Sequence, residues 1–162
     1  MLISIIGESN ASHKNYSLAE EVGRLLAEAE VTVVCGGMGG VMEAVCKGAS
    51  NAGGRTVGIL PGVNPSDANP WVDIPICTGL GHARNVIVVR SGLAVVAIGG
   101  AYGTLSEIGH ALSDEIPVIG LNTWSFNREG NEDDSLHICK TPAQAVKTAL
   151  LLANKRLHNC EN

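Results

Sequence analysis

The chain has 162 residues, of which 45% are hydrophobic and 17% charged, and its formal net charge is −5. This length is typical of one domain with a sizeable core, and because only 3% of the residues are aromatic, that core must be aliphatic. Lysine and arginine form no cluster, which argues against binding to nucleic acid or to an anionic membrane surface.

The sequence has no recognisable targeting or membrane-spanning segment. Its first apolar run reaches Gly7 too soon to be the core of a signal peptide, and no apolar run has spanning length. The five cysteines are widely scattered, without a paired metal-ligand spacing. We therefore expect free thiols in a reducing cytosol, a cytoplasmic location and no metal site.

Strands and helices alternate along the first half of the chain. Residues 2–6 and 31–35 read as buried strands, and residues 56–60 as a third. A capping box at residues 17–20 predicts the start of the first helix. The second helix is predicted over residues 41–52.

The second half continues the alternation. A short extended piece near residues 74–77 is followed by a helix over 82–91 and a strand over 93–98. Another helix is predicted from Gly103 to about Ser113, and another strand over 117–121.

The C-terminal part is predicted to be less regular. Residues 122–135 are polar and are expected to form a solvated loop. A short strand at 136–139 and a helix at 142–153 follow. We assign residues 1–154 to a single nucleotide-binding domain and 155–162 to a frayed tail.

This alternation predicts an α/β fold with a doubly wound, mostly parallel sheet and helices on both faces. Residues 7–12, 36–40 and 99–107 all follow strands, so they should meet at one rim, where such folds bind ligands. Neither a G-x-G-x-x-G run after the first strand nor a Walker loop is present, which disfavours NAD, FAD and Walker-type nucleotide sites. The candidate ligand-binding residues on this rim are Gly7, Ser9, Gly36, Gly37, Gly39, Gly40, Gly99, Gly100, Gly103 and Thr104.

The sharpest motif is the glycine-rich turn between the strand at 93–98 and the helix after it. Glycines leave no Cβ between the backbone amides and a ligand, and a helix N-terminus attracts a phosphate or another anion. The alternative is a capping box, in which Thr104 and Glu107 satisfy the end amides without any ligand.

Arg84 is predicted in the first turn of a helix, where the helix dipole disfavours a cation. One interpretation of Arg84 is a surface arginine paired with a nearby carboxylate. The glycine-rich motif at residues 99–107 favours the other, in which Arg84 and the helix terminus at Gly103 hold one phosphate together. His82 is expected to be a helix cap or a buried hydrogen-bonding group.

Residues 35–44, Arg84 and residues 99–107 resemble the Lonely Guy superfamily, a Rossmann-like group often labelled "lysine decarboxylase". The resemblance covers nearly the whole chain. Residues 78–85, with Asn69-Pro70 before them, are most similar to the branch that includes molybdenum-cofactor carrier proteins.

The resemblance implies catalytic roles for Arg84 and Glu107 and a phosphate-binding turn at Gly100, Gly103 and Thr104. Hydrolase members cleave the N-glycosidic bond of cytokinin nucleoside 5′-monophosphates. This chain departs from their pattern twice, with Ile98 in place of a proline and Asn85 in place of a lysine.

Two classes of function follow. A binding or carrier protein would hold a phosphorylated heterocycle, such as molybdopterin or a nucleotide, without converting it. A phosphoribohydrolase would use Glu107 to activate water or to stabilise positive charge on the ribose, while Arg84 holds the phosphate.

Asn85 and the resemblance to the carrier branch favour the binding protein. On this interpretation no cofactor is required, and the molybdenum cofactor is a candidate ligand. The superfamily also implies a homodimer.

Overall fold

The computed structural model describes residues 1–159, and positions 160–162, with Cys160, lie outside it. The described part of the chain contains nine strands and five α-helices. The strands are β1 (Leu2–Gly7), β2 (Thr32–Cys35), β3 (Thr56–Leu60), β4 (Ile74–Cys77), β5 (Val95–Ile98), β6 (Val118–Leu121), β7 (Phe126–Arg128), β8 (Asn131–Asp133) and β9 (Leu136–Cys139). The helices are α1 (His13–Glu28), α2 (Val41–Asn51), α3 (Asn85–Ser91), α4 (Tyr102–Ser113) and α5 (Pro142–Asn159).

Seven of the strands form one sheet in the order β4-β3-β2-β1-β5-β6-β9. Every neighbouring pair in it is parallel. The predicted doubly wound α/β, Rossmann-like fold is therefore confirmed. The chain progresses outward from β1 towards β4, then returns to add β5 on the other side of β1. The switch point between β1 and β5 is where such a fold opens a crevice for a ligand.

The central strands of the seven-stranded sheet are apolar and buried, as expected where helices cover both faces, whereas all four residues of β4 at its edge are exposed. Ile3 and Ile5 of β1 belong to the apolar layer that α1, α2 and α5 form, whereas Ile6 belongs to the layer beneath α3 and α4. Ser4 is fully buried in the same strand, and its hydroxyl donates to the Val88 carbonyl at 2.6 Å. This bond offsets the cost of burying the hydroxyl.

Two predicted helix starts are corrected by the structure. Helix α1 begins at His13 rather than near Ser17, because Ser12 is extended and its side chain accepts from the Asn15 amide. The predicted helix at 82–91 is divided into a 3-10 turn over Gly81–Arg84 and α3. Arg84 therefore precedes the α-helix instead of lying in its first turn.

Two further expectations fail in the C-terminal part. The segment expected to be a solvated loop contains an antiparallel hairpin, in which Phe126 pairs with Asp133. Helix α5 continues past Asn154 to Asn159, so residues 155–159 are not frayed. Arg156 holds this extension by donating to the carbonyls of Gly92 and Leu93 at 3.3 and 3.4 Å.

Candidate functional site

A cleft of about 460 Å³ opens at the switch point, between the loop after β1 and the first turn of α4. We call it the main cleft. It brings together six of the residues that the sequence predicted for the site. These are Gly7, Ser9, Arg84, Gly103, Thr104 and Glu107.

The centre of the main cleft is an arginine–glutamate pair. Arg84 Nη1 lies 3.8 Å from Glu107 Oε1, and the two side chains are only 9% and 8% exposed. Arg84 also donates to the Asn85 side-chain oxygen and, at 3.5 Å, to the Gly36 carbonyl. Its Nε is buried without an acceptor in the described part of the chain. The pair is an ion pair without a direct hydrogen bond, so both groups keep bonding capacity for a ligand.

Burial governs the ionisation of both groups. It raises the pKa of Glu107 to about 7, and the neighbouring Arg84 only partly opposes that rise. Burial also lowers the pKa of Arg84, while Glu107 acts in the opposite direction. An arginine so placed remains a cation at neutral pH, whereas Glu107 divides between its two protonation states. A carboxyl group that titrates near neutrality can both give and take a proton.

Glu107→Gln is expected to flatten the pH dependence of the free energy of unfolding. The folded protein holds the Glu107 proton more tightly than the unfolded chain does, with a pKa of about 7 against 4.5. The resulting stability is complete below the lower pKa and is lost as pH rises through the higher one. Between pH 4.5 and 8, the wild type should lose about 3 kcal/mol more than the variant.

Urea unfolding of both proteins across this pH range measures the difference. A difference between wild type and variant that stays constant with pH would contradict a raised pKa. Arg90→Ala supplies a control for general charge effects, because Arg90 is exposed and pairs with Asp114 at 2.6 Å, away from Glu107.

Helix α4 presents an open N-terminus to the main cleft. The helix begins at Tyr102, with Ala101 at the cap position and no capping hydrogen bond from a side chain within residues 1–159. Thr104 and Glu107 therefore lie inside the helix, and Glu107 contacts Arg84 instead of the end amides. The capping-box alternative is wrong. The first-turn amides stay available for an anion.

The glycine turn before α4 already contains a carboxylate. Glu8 Oε2 accepts from the Gly100 amide at 3.1 Å, and Glu8 Oε1 accepts from Asn15 Nδ2 at 2.7 Å. The hydrogen bond from Asn15 is the main reason why the pKa of Glu8 is lowered. Because Glu8 is ionised and occupies the Gly100 amide, the space for a ligand anion is shifted from Gly100 towards Gly103 and Thr104.

The predicted site glycines Gly36, Gly37, Gly39 and Gly40 lie next to the main cleft but are not among the residues that line it. A Cβ on Gly36 would lie 2.5 Å from Arg84 Nη2, so this glycine makes room for the guanidinium. A Cβ on Gly37 would lie 2.7 Å from a Leu60 methyl group, and one on Gly40 would lie 2.3 Å from the Glu8 carbonyl. At Gly39 the nearest atom would be 3.5 Å away. Met38 lines the cleft directly.

Several residues of the main cleft are not among those that the sequence predicts for the site. Glu8 is one of them, and its position directly after β1, in the predicted rim segment 7–12, is the signal that could have found it. Met42 and Asn85 line the cleft as well. His82 also lines it, but it is exposed and makes no side-chain cap at the 3-10 turn or at α3 within the described residues, so the expectation of a helix cap or a buried hydrogen-bonding group is wrong. Gly99 and Gly100 line a different cleft, described below.

Neither a metal site nor a spanning helix is found in the described residues. Within residues 1–159, His, Cys, Asp and Glu side chains nowhere gather in a group of three or more that would hold a metal ion. Across the same residues, the length and hydropathy of every helix fall short of what a membrane crossing needs. Four cysteines are free, and Cys35 Sγ lies 3.5 Å from Cys46 Sγ in the core.

This sheet, with a buried arginine–glutamate pair and an open helix terminus at its switch point, defines a Rossmann-like protein of the Lonely Guy type. The model of the SLOG cluster4 family matches residues 1–146, and the chain belongs to that family. A protein of Archaeoglobus fulgidus is 40% identical over 146 residues, which are 90% of this chain and 92% of that protein.

Solved structures and a plant relative agree with this assignment. The molybdenum cofactor binding protein from Rippkaea orientalis superposes with a TM-score of 0.84 at 33% identity, over 93% of this chain and 96% of that one. The molybdenum cofactor carrier protein from Chlamydomonas reinhardtii gives 0.82 at 32% identity, with coverage of 93% and 96%. A probable cytokinin riboside 5′-monophosphate phosphoribohydrolase of Oryza sativa is 31% identical over 63% of this chain and 47% of its own length.

Proposed function

We propose that the main cleft binds a phosphorylated heterocycle, either a nucleoside monophosphate or a molybdopterin, and that the protein carries this ligand without converting it. One observation carries the proposal. Arg84 is a buried cation with incomplete hydrogen bonding, and it lines the same cleft as the open N-terminus of α4. A buried cation and free helix amides both favour an anion.

In this proposal the phosphate lies between Arg84 and the amides of Tyr102, Gly103 and Thr104. The charge-assisted bonds from Arg84 contribute about 1.5–3 kcal/mol. Glu8 keeps the phosphate away from Gly100, because its carboxylate already accepts from that amide and would repel a second anion. Gly103 has open space where a Cβ would lie, so a ligand can approach the turn closely.

The two solved structures favour carriage over conversion, because both are named for binding or carrying the molybdenum cofactor. The molybdenum cofactor would be the cargo of this protein rather than a resident group. Asn85 also favours carriage over conversion, because it replaces the lysine of the hydrolase pattern and accepts a hydrogen bond from Arg84. The main cleft therefore has one cation fewer near an anionic substrate.

Hydrolysis of a nucleoside 5′-monophosphate is the second candidate, and Glu107 favours it. A buried carboxyl group whose pKa is raised to about 7 titrates at the operating pH of an enzyme. Ionised Glu107 would stabilise positive charge on the ribose or activate the attacking water, while Arg84 holds the phosphate. The rice relative, named as a probable phosphoribohydrolase, supports this candidate.

Thermal unfolding with and without ligands tests binding. AMP, GMP and molybdopterin should each raise the unfolding temperature, whereas adenosine and guanosine should not. Stabilisation by nucleosides and monophosphates alike would contradict phosphate recognition.

Release of free base from AMP and GMP separates the two candidates. A carrier releases none. Robust release by the wild type, lost in Glu107→Gln while GMP still binds, would establish the hydrolase instead.

We also propose a homodimer in the cytoplasm. Ile87 of α3 is 39% exposed, and Gly109 of α4 has open space where a Cβ would lie. These two helices pack against each other and both contribute residues to the lining of the main cleft, and an exposed apolar side chain on one and an open glycine on the other suit close packing against a second copy. The free thiols of the described cysteines support a reducing compartment.

A further inference from the structure

A second cleft lies beside the main cleft, on the other side of the turn that joins β5 to α4. Its volume is about 350 Å³. Gly99 and Gly100 lie on this side of the turn, whereas Ala101 and Gly103 lie on the side of the main cleft. Glu8 lines both clefts. The other residues that line the second cleft are Asn15, Asn122, Thr123 and Trp124.

The polar side chains of the second cleft form one continuous hydrogen-bonded chain. Lys14 Nζ donates to Asn122 Oδ1 at 3.0 Å, and Asn122 Nδ2 donates to Asn15 Oδ1 at 2.7 Å. Asn15 Nδ2 in turn donates to Glu8 Oε1 at 2.7 Å. These bonds hold two amides and a carboxylate in fixed orientations, and each oxygen retains a lone pair for another donor.

The charge of the second cleft differs from that of the main cleft, because Glu8 lines both clefts whereas Arg84 lines the main cleft and not the second. Its lining includes the ionised Glu8, and the nearby cation Lys14 is already bonded to Asn122. A phosphate would be repelled by Glu8 here. A neutral ring with N–H donors would instead find fixed acceptors.

An aromatic pair borders the second cleft. The ring centroids of Tyr102 and Trp124 lie 6.0 Å apart with an interplanar angle of 37°. Tyr102 is 81% exposed at the start of α4, although the whole chain has only two tyrosines and two tryptophans. The two rings are tilted and do not form one plane, but the exposed face of Tyr102 is flat and suits stacking of a planar heterocycle, with Trp124 beside it.

We propose that the second cleft binds the heterocycle of the ligand whose phosphate occupies the main cleft. This inference rests on the proposed function. The heterocycle is a planar, neutral bicyclic ring of the purine or pterin class, which donates N–H groups to Glu8 and stacks against Tyr102 and Trp124. The ligand crosses the turn at Ala101 and Gly103, where side chains are small or absent. One ligand thereby uses the cation and helix amides of the main cleft together with the carboxylate and aromatic rings that border the second cleft.

Trp124 itself reports on this site. The chain has two tryptophans, so Trp71→Phe leaves Trp124 as the sole indole fluorophore. We use GMP as the probe, because its base shares the 2-amino-4-oxopyrimidine ring of pterins, and ribose 5-phosphate as the same phosphate without a heterocycle. GMP should quench the Trp124 emission to saturation, whereas ribose 5-phosphate should bind without quenching. The matched variant Trp124→Phe retains Trp71, whose emission should not respond to GMP.

Substitutions separate stacking from folding. Trp124→Ala should weaken GMP binding about tenfold and leave the affinity for ribose 5-phosphate unchanged. Trp124→Phe keeps an aromatic face and should retain most of the GMP affinity. Thermal unfolding of each variant identifies the folded fraction used in the titrations.

The outcomes distinguish this inference from the proposed function. If ribose 5-phosphate and GMP bind equally well and Trp124 emission does not change, the second cleft does not hold the heterocycle, and phosphate binding in the main cleft stands. Equal weakening of both ligands by Trp124→Ala would overturn the inference in the same way. If neither ligand binds the wild type, the proposed function fails and this inference fails with it.

Discussion

Arg84→Ala is expected to weaken the binding of GMP or AMP by about 10- to 150-fold. The substitution removes a cation from the main cleft, and charge-assisted hydrogen bonds of this kind contribute about 1.5–3 kcal/mol. Arg84 is 9% exposed and has an Nε without an acceptor in the part of the chain that the structure describes. Its bonding capacity is therefore not used up by the protein itself.

Arg90→Ala is the matched control for this substitution. Arg90 lies six residues further along, is 62% exposed and bonds to Asp114 outside the main cleft. Isothermal titration of both variants with GMP measures the effect. Arg84→Lys should fall between wild type and Arg84→Ala, because lysine keeps the charge and loses the planar fork. Equal affinities of wild type and Arg84→Ala would exclude Arg84 from the phosphate site.

Gly40→Val is expected to destabilise the fold by at least about 3 kcal/mol, through strained backbone and overpacking together. Gly40 has φ 65° and ψ −128°, a conformation that side chains with a Cβ rarely adopt. An added Cβ would lie 2.3 Å from the Glu8 carbonyl oxygen, which belongs to the backbone and cannot rotate away. We expect its urea unfolding midpoint to lie well below that of the wild type.

Gly39→Val separates ligand approach from folding. A Cβ on Gly39 would lie 3.5 Å from the nearest atom, the Ser9 carbonyl oxygen, so the change in stability should stay within about 1 kcal/mol. Ser9 lines the main cleft, and a branched side chain beside it should weaken GMP binding. Urea unfolding and GMP titration of both variants test the pair. Wild-type affinity in folded Gly39→Val would show that the ligand does not need this glycine.

The local sequence was sufficient to predict the fold class. Short apolar runs that alternate with segments of helical periodicity predict buried parallel strands joined by helices. Right-handed crossovers then place the carboxyl ends of those strands on one rim of the sheet. The crossover rule was enough to predict that the loops after β1, β2 and β5 lie close together. Glycine conformations and apolar periodicity depend only on residues that are close together in the sequence, and they can therefore be predicted without knowing the fold.

The boundaries of the elements were predicted less well than their types, because more than one nearby residue could start or end an element. Ser12 caps α1 ahead of the capping box at Ser17, since both are acceptable caps and only the path of the preceding loop selects between them. The hairpin of β7 and β8 was missed because its strands have three residues each, too few for a period to appear.

The chemistry of the site was decided only by tertiary structure. The Glu8 side chain meets the Gly100 amide across 92 residues of sequence, and Arg84 meets the Gly36 carbonyl across 48. Burial of Glu107 beside Arg84 raises its pKa, whereas the sequence motif is equally compatible with an exposed helix cap. Hydrogen bonds, desolvation and cleft shape depend on which surfaces face each other, and the strand order determines that arrangement. The sequence by itself therefore determined which loops meet at the proposed ligand site, and the packed structure decided which groups are available there.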